Sequence, residues 1–578
     1  MKMKVSDYVA EFLYSRGITE VFSVTGGGAM HLNNSLGAHK GLRCIYNHHE
    51  QACAMAAESY ARIENKMAAV CVTTGPGGTN ALTGVLGAYL DSIPMIIISG
   101  QVRRDTTVRS AKLPLRALGD QEFDICKAAA SMTKYCEMVT EPQDIRFCLE
   151  RAFAAALGGR RGPVWIDIPL DVQGAAVETC SLRAYDQQYL NPSLVENIAR
   201  EIVQKIRKAA RPVLYAGSAI RYSGAHEVFM RVADKLNIPV VTCWNSIDVI
   251  PTDHALYAGR GGGMGDYAGN YAVQNSDLVF AVGTRLSIRQ VGFNFAAWAK
   301  DAYVIMADID ENELKKPTLH VDMPVWADTC DLLSAIDAYL EKPLEDKGEW
   351  KQRCARWKRE NKVVRSEHYA EQSAANVYAF IRELSNRAPE DAITVVGNGS
   401  ACVVGSQSYI IKDKTRFIIN SAVAAMGYDL PAAIGAAAAS GREIICISGD
   451  GSIQMNLQEL QTIIHHSFPI RIFVINNGGY HSIRQTQQSF FGEPLVGVGE
   501  DSGDLSFPSM EKLAAAYGYD YYSIRNNNDF GVIDTVLSAP APLICEVFVT
   551  REQKFSPKAT TKKLPDGSLI SAPLDELV

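Results

Sequence analysis

Two sets of side chains in this 578-residue chain have the types and spacing to do chemistry. The first is Gly449-Asp450-Gly451-Ser452, followed 27 positions after the Asp (450 to 477) by Asn477 and then Gly478-Gly479. The apolar run Ile444 to Ile447 predicts a buried strand that the Gly-Asp-Gly turn breaks. Leu457, Leu460, Ile463 and Ile464 recur at helical spacing, and Ile470 to Ile475 predicts a second strand ending in Asn476-Asn477. Strand, turn, helix and strand make one βαβ unit, which sets two parallel strand tips side by side and lets Asp450 and Asn477 meet. Both offer hard oxygens, and Gly479 leaves a backbone carbonyl accessible. Mg²⁺ takes few protein oxygens and completes its octahedron with phosphate and water. The expected ligand is a diphosphate held through a metal; the alternative is an ordinary strand-turn-helix in which Asp450 caps the helix.

The second set centres on Glu50 in the segment NHHEQACAMAAESYAR. An acid at a helix start is commonly a first-turn charge on the helix dipole. Here Ala52, Ala54, Ala56 and Ala57 predict a closely packed, buried helix. A carboxyl held in apolar surroundings keeps its proton more tightly and can exchange it with a nitrogen base. His48-His49 just before it could donate protons or serve as structural hydrogen-bonding groups. Gly26-Gly27-Gly28 is a turn signal that allows close backbone approach.

Those sites need a frame. A chain of this length suits three domains of ordinary size. Apolar content of 47% and charged content of 21% are those of a soluble globular enzyme. A net charge of −7 leaves no basic footprint, which argues against nucleic acid as a partner. Thirteen Cys without a CxxC pair, several in apolar strands (Cys71, Cys446, Cys545), suit a reducing cytoplasm. No apolar run is long enough for a membrane span, and the N-terminus, an amphipathic helix with Ser6 or Asp7 near its cap, lacks a signal-peptide core. Helix and strand alternate through residues 1–175, again through 190–342 and again through 372–550, which predicts α/β domains with parallel sheets. Val172 to Ser193 reads as a linker, Leu340 to Ser373 as a solvated connecting helix, and 551–578 as a polar tail, either a loose terminus or a flap. AAVCVTTGPGGTN (Ala68–Asn80) and EIICISGDGSIQ (Glu443–Gln454) share a plan of apolar strand, Gly turn and helix. The first and last domains are therefore expected to be related and to hold a ligand between their strand ends.

The Gly-Asp-Gly to Asn-Asn stretch resembles the thiamine-diphosphate motif. With SVTGGGAMH, HHEQACAMAAESYAR, TTGPGGTNALTGVLGAYLDSIPMIIISGQV, GPVWIDIPLDVQ, AVQNSDLVFAVGTR and AMGYDLPAAIGAA, the chain is similar over residues 5–550 to the acetolactate synthase family of thiamine-diphosphate enzymes. The resemblance implies three doubly wound parallel-sheet α/β domains: pyrimidine-binding (1–175), middle, FAD-type and Rossmann-like (190–342), and diphosphate-binding (372–550). It implies a cytoplasmic homodimer or homotetramer that decarboxylates pyruvate, or another 2-keto acid, and passes the two-carbon unit to a ketone acceptor. Glu50 would be the activating acid. Asp450, Asn477 and the Gly479 carbonyl would hold Mg²⁺, with Gly449, Gly451 and Ser452 alongside. Asn398, Gly399 and Ser400 would meet the diphosphate. Met426 would be the wedge under the cofactor, and the Ala424 carbonyl would receive its 4′-amino group. Gly27 would approach the same site, and Gln121 and Lys134 would line the substrate channel. FAD would lie in the middle domain at GRGGGMGDYAGN and TRLSIRQ, with Arg289 reaching towards it.

Some positions depart from the family. Leu286-Ser287-Ile288 stand where acidic residues precede Arg289, Thr486 stands where a Trp selects the acceptor, and Asp120 replaces a Phe beside Gln121. The first change leaves open that the middle site is empty or holds another adenine nucleotide in place of FAD; Thr486 and Asp120 imply a larger, more polar pocket, open to an acceptor such as a keto-sugar. A simple 2-keto acid decarboxylase or an oxidase is the nearest other reading. An NAD dehydrogenase is disfavoured, because no GxGxxG follows a first strand with an acid about twenty positions on.

Overall fold

The computed structural model describes residues 2–186, 195–370, 373–563, 566 and 569–578. Apolar runs such as Met95–Ile98 and Ile470–Ile475 are too uniformly hydrophobic for a half-exposed strand, and each lies inside a parallel sheet covered on both faces. The first sheet takes β1 (Glu20–Ser23), β2 (Arg43–Tyr46), β3 (Ala68–Val72), β4 (Met95–Gln101), β5 (Cys136–Met138) and β6 (Val164–Pro169), ordered β2-β1-β3-β4-β6-β5. The second takes β7 (Pro212–Ala216), β8 (Val240–Thr242), β9 (Tyr257–Arg260), β10 (Leu278–Val282), β11 (Tyr303–Asp308) and β12 (Met323–Trp326), ordered β9-β8-β7-β10-β11-β12. The third takes β13 (Ile393–Val396), β14 (Arg416–Ile419), β15 (Ile444–Gly449), β16 (Ile470–Asn476), β17 (Asp520–Ile524) and β18 (Leu543–Phe548), ordered β14-β13-β15-β16-β18-β17. Every pairing within these sheets is parallel, so the three doubly wound α/β domains are observed. The first and third sheets share one topology, and the middle sheet has the order of a dinucleotide-binding fold.

Six helices position the site: α1 (Glu50–Glu64), α2 (Pro76–Asp91), α3 (Ser400–Ser408), α4 (Asp429–Ser440), α5 (Glu459–His466) and α6 (His481–Phe490). One apolar cluster runs through the first and third domains, because α1 lies directly against α4. Small residues make that approach possible. A Cβ on Gly435 would sit 2.0 Å from the Ala56 carbonyl oxygen, and one on Gly84 would sit 2.5 Å from Ala54 Cβ. The alanine run in α1 is therefore the means by which the two domains are pressed together.

Three expectations change. The N-terminal helix is Val5–Ser15, with Lys4 at its cap position and no side-chain cap, and Lys2–Lys4 instead pairs antiparallel with Ala176–Glu178. That pairing, with buried Val172, Val177 and Leu182, makes the first part of the expected linker belong to the first domain's core. The rest of that linker falls largely outside the described residues, as do the boundaries at 190 and 372. The charged stretch after Leu340 forms two helices, Gly348–Glu360 and Ser366–Tyr369. The longer one buries Trp350 and Cys354 against the middle domain, with Trp350 Nε1 donating to the Pro212 carbonyl at 3.0 Å.

Candidate cofactor site

At the tip of the third sheet, the β15–β16 register pairs Gly449 with Ile475, which sets Asp450 beside the end of β16. Asp450 is buried; its Oδ1 accepts from the Gly451 N–H at 2.9 Å and its Oδ2 from the Gly479 N–H at 2.9 Å. Burial pushes its carboxyl up to about 7, against the pull of the Gly479, Gly451 and Gly478 N–H groups. Asn477 is also buried. Its Nδ2 donates to Ser400 Oγ at 3.3 Å, and its Oδ1 has no partner among the described residues. Gly479 has φ +136°, and a Cβ there would lie 1.9 Å from the Val498 oxygen, so only glycine fits. Its carbonyl accepts from the His481 N–H at 3.0 Å and keeps a second lone pair. A buried acid with no ion-pair partner among the described residues, beside an orphaned amide oxygen, fits a hard divalent ion, which would satisfy both and keep the acid ionised.

The anion-facing groups converge on the same tip. Gly399 (φ +68°) turns the chain into α3, whose first residue, Ser400, presents helix N-terminal N–H groups. Asn398 braces this turn, its Oδ1 accepting from the Gly399 N–H at 2.7 Å and its Nδ2 donating to the Ala424 carbonyl. Ala424 takes φ +53°, a left-handed conformation that costs an alanine roughly 1–2 kcal/mol. Its carbonyl, expected to await an amino group, already has one partner in Asn398. Met426 is half-buried and lies outside the apolar clusters of the described residues. A Cβ on Gly449 would meet only the Ile475 oxygen, at 4.0 Å. Ser452 is not free: its hydroxyl donates to Asp429 at 2.6 Å and accepts from the Gly427 N–H at 3.0 Å. Its side chain joins α4 to the turn and is not aimed at a ligand.

Glu50 begins α1 and is 9% exposed. Oε2 accepts from Asn80 Nδ2 at 3.0 Å, while Oε1 faces Gly77 and has no donor among the described residues. His49 is the side-chain cap of this helix, its Nδ1 accepting from the Gln51 N–H at 3.0 Å, which favours the structural reading for that ring. His48 is exposed, and its backbone N–H donates to Glu459. Gly27 is exposed at the start of the 3₁₀ turn Gly27–Ala29, with open space where a Cβ would be. Gln121 is exposed with φ +59°, its carbonyl seated against Gly75 just before α2. Lys134 is elsewhere: its Nζ donates to the Gly158 carbonyl beside Arg160, and burial lowers it to about 8. Thr486 is on α6, its hydroxyl donating to the Ser482 carbonyl at 3.0 Å.

Sequence reading missed the residues that join the two halves. Buried Glu459 accepts from Asn47 Nδ2 and the His48 N–H, both at 2.9 Å, and Asn456 Nδ2 donates to Gln51 at 3.0 Å. In the sequence Glu459 looks like any acid in the first turn of a helix. Among the described residues no hydrogen bond or ion pair joins Glu50 to Asp450 or Asn477 within the chain.

A cavity of about 360 Å³ opens at the carboxyl ends of β7, β10 and β11, at the switch point of the middle sheet. Arg285, Arg289, Arg160 and Arg161 line it. Arg160 is paired with Asp310 and Glu313, whereas Arg289 lies 4.7 Å over the Trp244 ring and, like Arg285, has no carboxylate partner among the described residues. Burial pushes Asp308 at its edge up to about 6. Guanidiniums held outside ion pairs suit a diphosphate.

Three family models match along the chain: the thiamine pyrophosphate enzyme N-terminal TPP binding domain over residues 3–126, the central domain over 199–336, and the C-terminal TPP binding domain over 397–547. The chain is 30% identical over 529 residues to the acetolactate synthase isozyme 3 large subunit of Escherichia coli (strain K12), covering 89% of this chain and 88% of that one. It is 30% identical to the isozyme 2 large subunit of the same organism with 100% of both covered, and 30% identical to the acetolactate synthase large subunit of Lactococcus lactis subsp. lactis (strain IL1403) over 96% and 93%. Among the described residues no helix is long and apolar enough to cross a membrane. The chain belongs to the acetolactate synthase family of thiamine-diphosphate-dependent enzymes.

Proposed function

We propose that this enzyme decarboxylates pyruvate, or a close 2-keto acid, and joins the two-carbon unit to a second keto compound. The observation that carries the reading is the pair of incomplete acid sites: Asp450 beside the orphaned Asn477 oxygen, and Glu50 with Oε1 free. Bound thiamine diphosphate supplies the electron sink that lets a 2-keto acid lose CO₂ and pass on its two-carbon unit. The chain's own residues do the rest. Asp450, Asn477 and the Gly479 carbonyl would hold Mg²⁺, and the α3 N-terminus with Asn398, Gly399 and Ser400 would take the phosphate charge. Glu50 Oε1 would hold a proton against N1′ of the aminopyrimidine, with Asn80 fixing the other oxygen. Met426 would lie against the cofactor, while Gln121 and the Gly27 turn would face the substrate.

Among the described residues no hydrogen bond or ion pair joins Glu50 to Asp450 within one chain, and Gly27 and Gln121 are exposed. A homodimer is therefore the proposed unit, in which the first domain of one subunit faces the third domain of the other. The same reading, with boundaries at 1–175, 190–342 and 372–550, assigns the middle cavity to FAD, whose diphosphate would meet Arg285 and Arg289. Incubating the purified protein with pyruvate, Mg²⁺ and thiamine diphosphate should release CO₂ and form acetolactate. CO₂ without acetolactate would reject pyruvate as the acceptor, and no CO₂ would reject the donor chemistry.

A further inference from the structure

The loop that would carry the metal is held from behind by a single buried cation. Arg484, on the first turn of α6, is among the largest fully buried side chains. Its Nη1 donates to the Asn477 carbonyl at 3.2 Å and its Nη2 to the Gly478 carbonyl at 3.1 Å. Nη1 also lies 3.2 Å from Nδ1 of His481. His481 Nε2 sits 2.8 Å from the Gln553 carbonyl, so Nε2 carries the ring proton and Nδ1 is the acceptor. Behind Arg484, Asp501 approaches Nε at 2.7 Å and also pairs with Arg551, which in turn holds Glu500 at 2.8 Å.

This arrangement fixes two successive peptide units, Asn477–Gly478 and Gly478–Gly479. The carbonyls of Asn477 and Gly478 are turned onto the guanidinium, away from Asp450, and the N–H of Gly479 is turned onto Asp450 Oδ2. Gly478 (φ +67°) and Gly479 (φ +136°) are in conformations a free chain would leave readily, so the loop needs an external hold. With both carbonyls taken up, the Asn477 side-chain oxygen is the acceptor left over, buried and unpartnered. A planar fork of donors can take two adjacent carbonyls at once; an ammonium cannot do so in fixed geometry. Asp501 neutralises the buried charge, so that it does not oppose a divalent ion a few residues away.

We propose that Arg484, neutralised by Asp501, is a positioning residue that sets the Asn477–Gly479 backbone to accept a divalent cation. This inference rests on the metal reading of Asp450 and Asn477. Outer groups that orient metal ligands typically change metal affinity by about 10–100-fold.

The test titrates Mg²⁺ into full-length protein at saturating thiamine diphosphate and follows binding by tryptophan fluorescence and circular dichroism, independent of turnover. Arg484→Met should raise the half-saturating Mg²⁺ about tenfold or more, Arg484→Lys should recover only part of that, and Asp501→Asn should raise it by a smaller factor. Thiamine diphosphate affinity at a large excess of Mg²⁺ should stay near the wild-type value in all three, which a general loss of structure would not allow. A folded Arg484→Met protein with unchanged half-saturating Mg²⁺ overturns the proposal. If that variant does not fold, an unchanged value for Asp501→Asn overturns it. Absence of any Mg²⁺-dependent signal in the wild type would instead remove the metal reading itself.

Discussion

The first and third domains are two versions of one frame, and they differ where chemistry is done. Counting from the starts of β3 and β15, Thr74 and Asp450 occupy the same place past the strand. Thr74 donates its hydroxyl to Gln101 at 2.6 Å, whereas Asp450 gathers backbone N–H groups and leaves its charge available. Gln101 and Asn476 are the last residues of β4 and β16, and each amide donates to an acid on the next strand, Asp167 at 3.1 Å and Glu546 at 2.7 Å. The helix-initial acids also correspond. Glu50 opens α1 and keeps an oxygen free, while Asp429 opens α4 and is occupied by Ser452 and the Leu430 N–H. One frame thus offers a strand-tip and a helix-start position in each domain. In the proposed function the third domain would use the strand tip for a metal, and the first would use the helix start for a proton.

The largest effect should come from giving the third domain its counterpart's residue. Asp450→Thr is expected to abolish Mg²⁺-dependent binding of thiamine diphosphate, measured by equilibrium dialysis, while the far-ultraviolet circular dichroism stays native. Retained tight binding would break the division of labour. Next, Glu50→Gln should lower 2-keto acid turnover by about 10²–10⁴-fold, the range for a lost acid–base partner, while dialysis still shows bound cofactor. Loss of binding and turnover together would mean that both domains hold the molecule and neither specialises.

The joint between the halves comes third. Gly435→Ala places a methyl 2.0 Å from the Ala56 carbonyl oxygen and should cost about 1–3 kcal/mol, seen as a lower midpoint in thermal unfolding. An unchanged midpoint would show that α1 and α4 can separate freely. The smallest effect concerns Asp167, whose carboxyl burial raises from 3.8 to about 7 despite bonds from Ser99 and Gln101. Between those pH values the folded state binds the proton that the unfolded state has lost, so this group's contribution to stability falls as pH rises. Denaturant unfolding from pH 5 to 7 should therefore show a shallower loss for Asp167→Asn than for wild type, and parallel curves would remove Asp167 as the cause.

Much of this was legible in the chain. The apolar strands around Val70, Ile97, Ile445 and Val474 were readable because a strand buried on both faces has no polar phase. The short outer strands Arg43–Tyr46, Cys136–Met138 and Asp520–Ile524 were not, because they are brief and half-exposed and carry little pattern. Val172 to Leu182 looked like linker because its three anchoring residues are spaced among polar ones, and only the partner strand at Lys2–Lys4 explains their burial.

Residue types and spacing alone determined that two acids, an amide and several glycines stand at the ends of predicted strands and helices, since local propensity and hydrophobic period act along the chain. Tertiary structure decided which of those acids is satisfied and which is left open. Ser452 fills Asp429, Asn80 takes half of Glu50, no described residue takes the Asn477 oxygen, and Arg484 turns its backbone. Those outcomes depend on groups tens to hundreds of residues apart meeting within hydrogen-bond reach, and no local pattern encodes that distance.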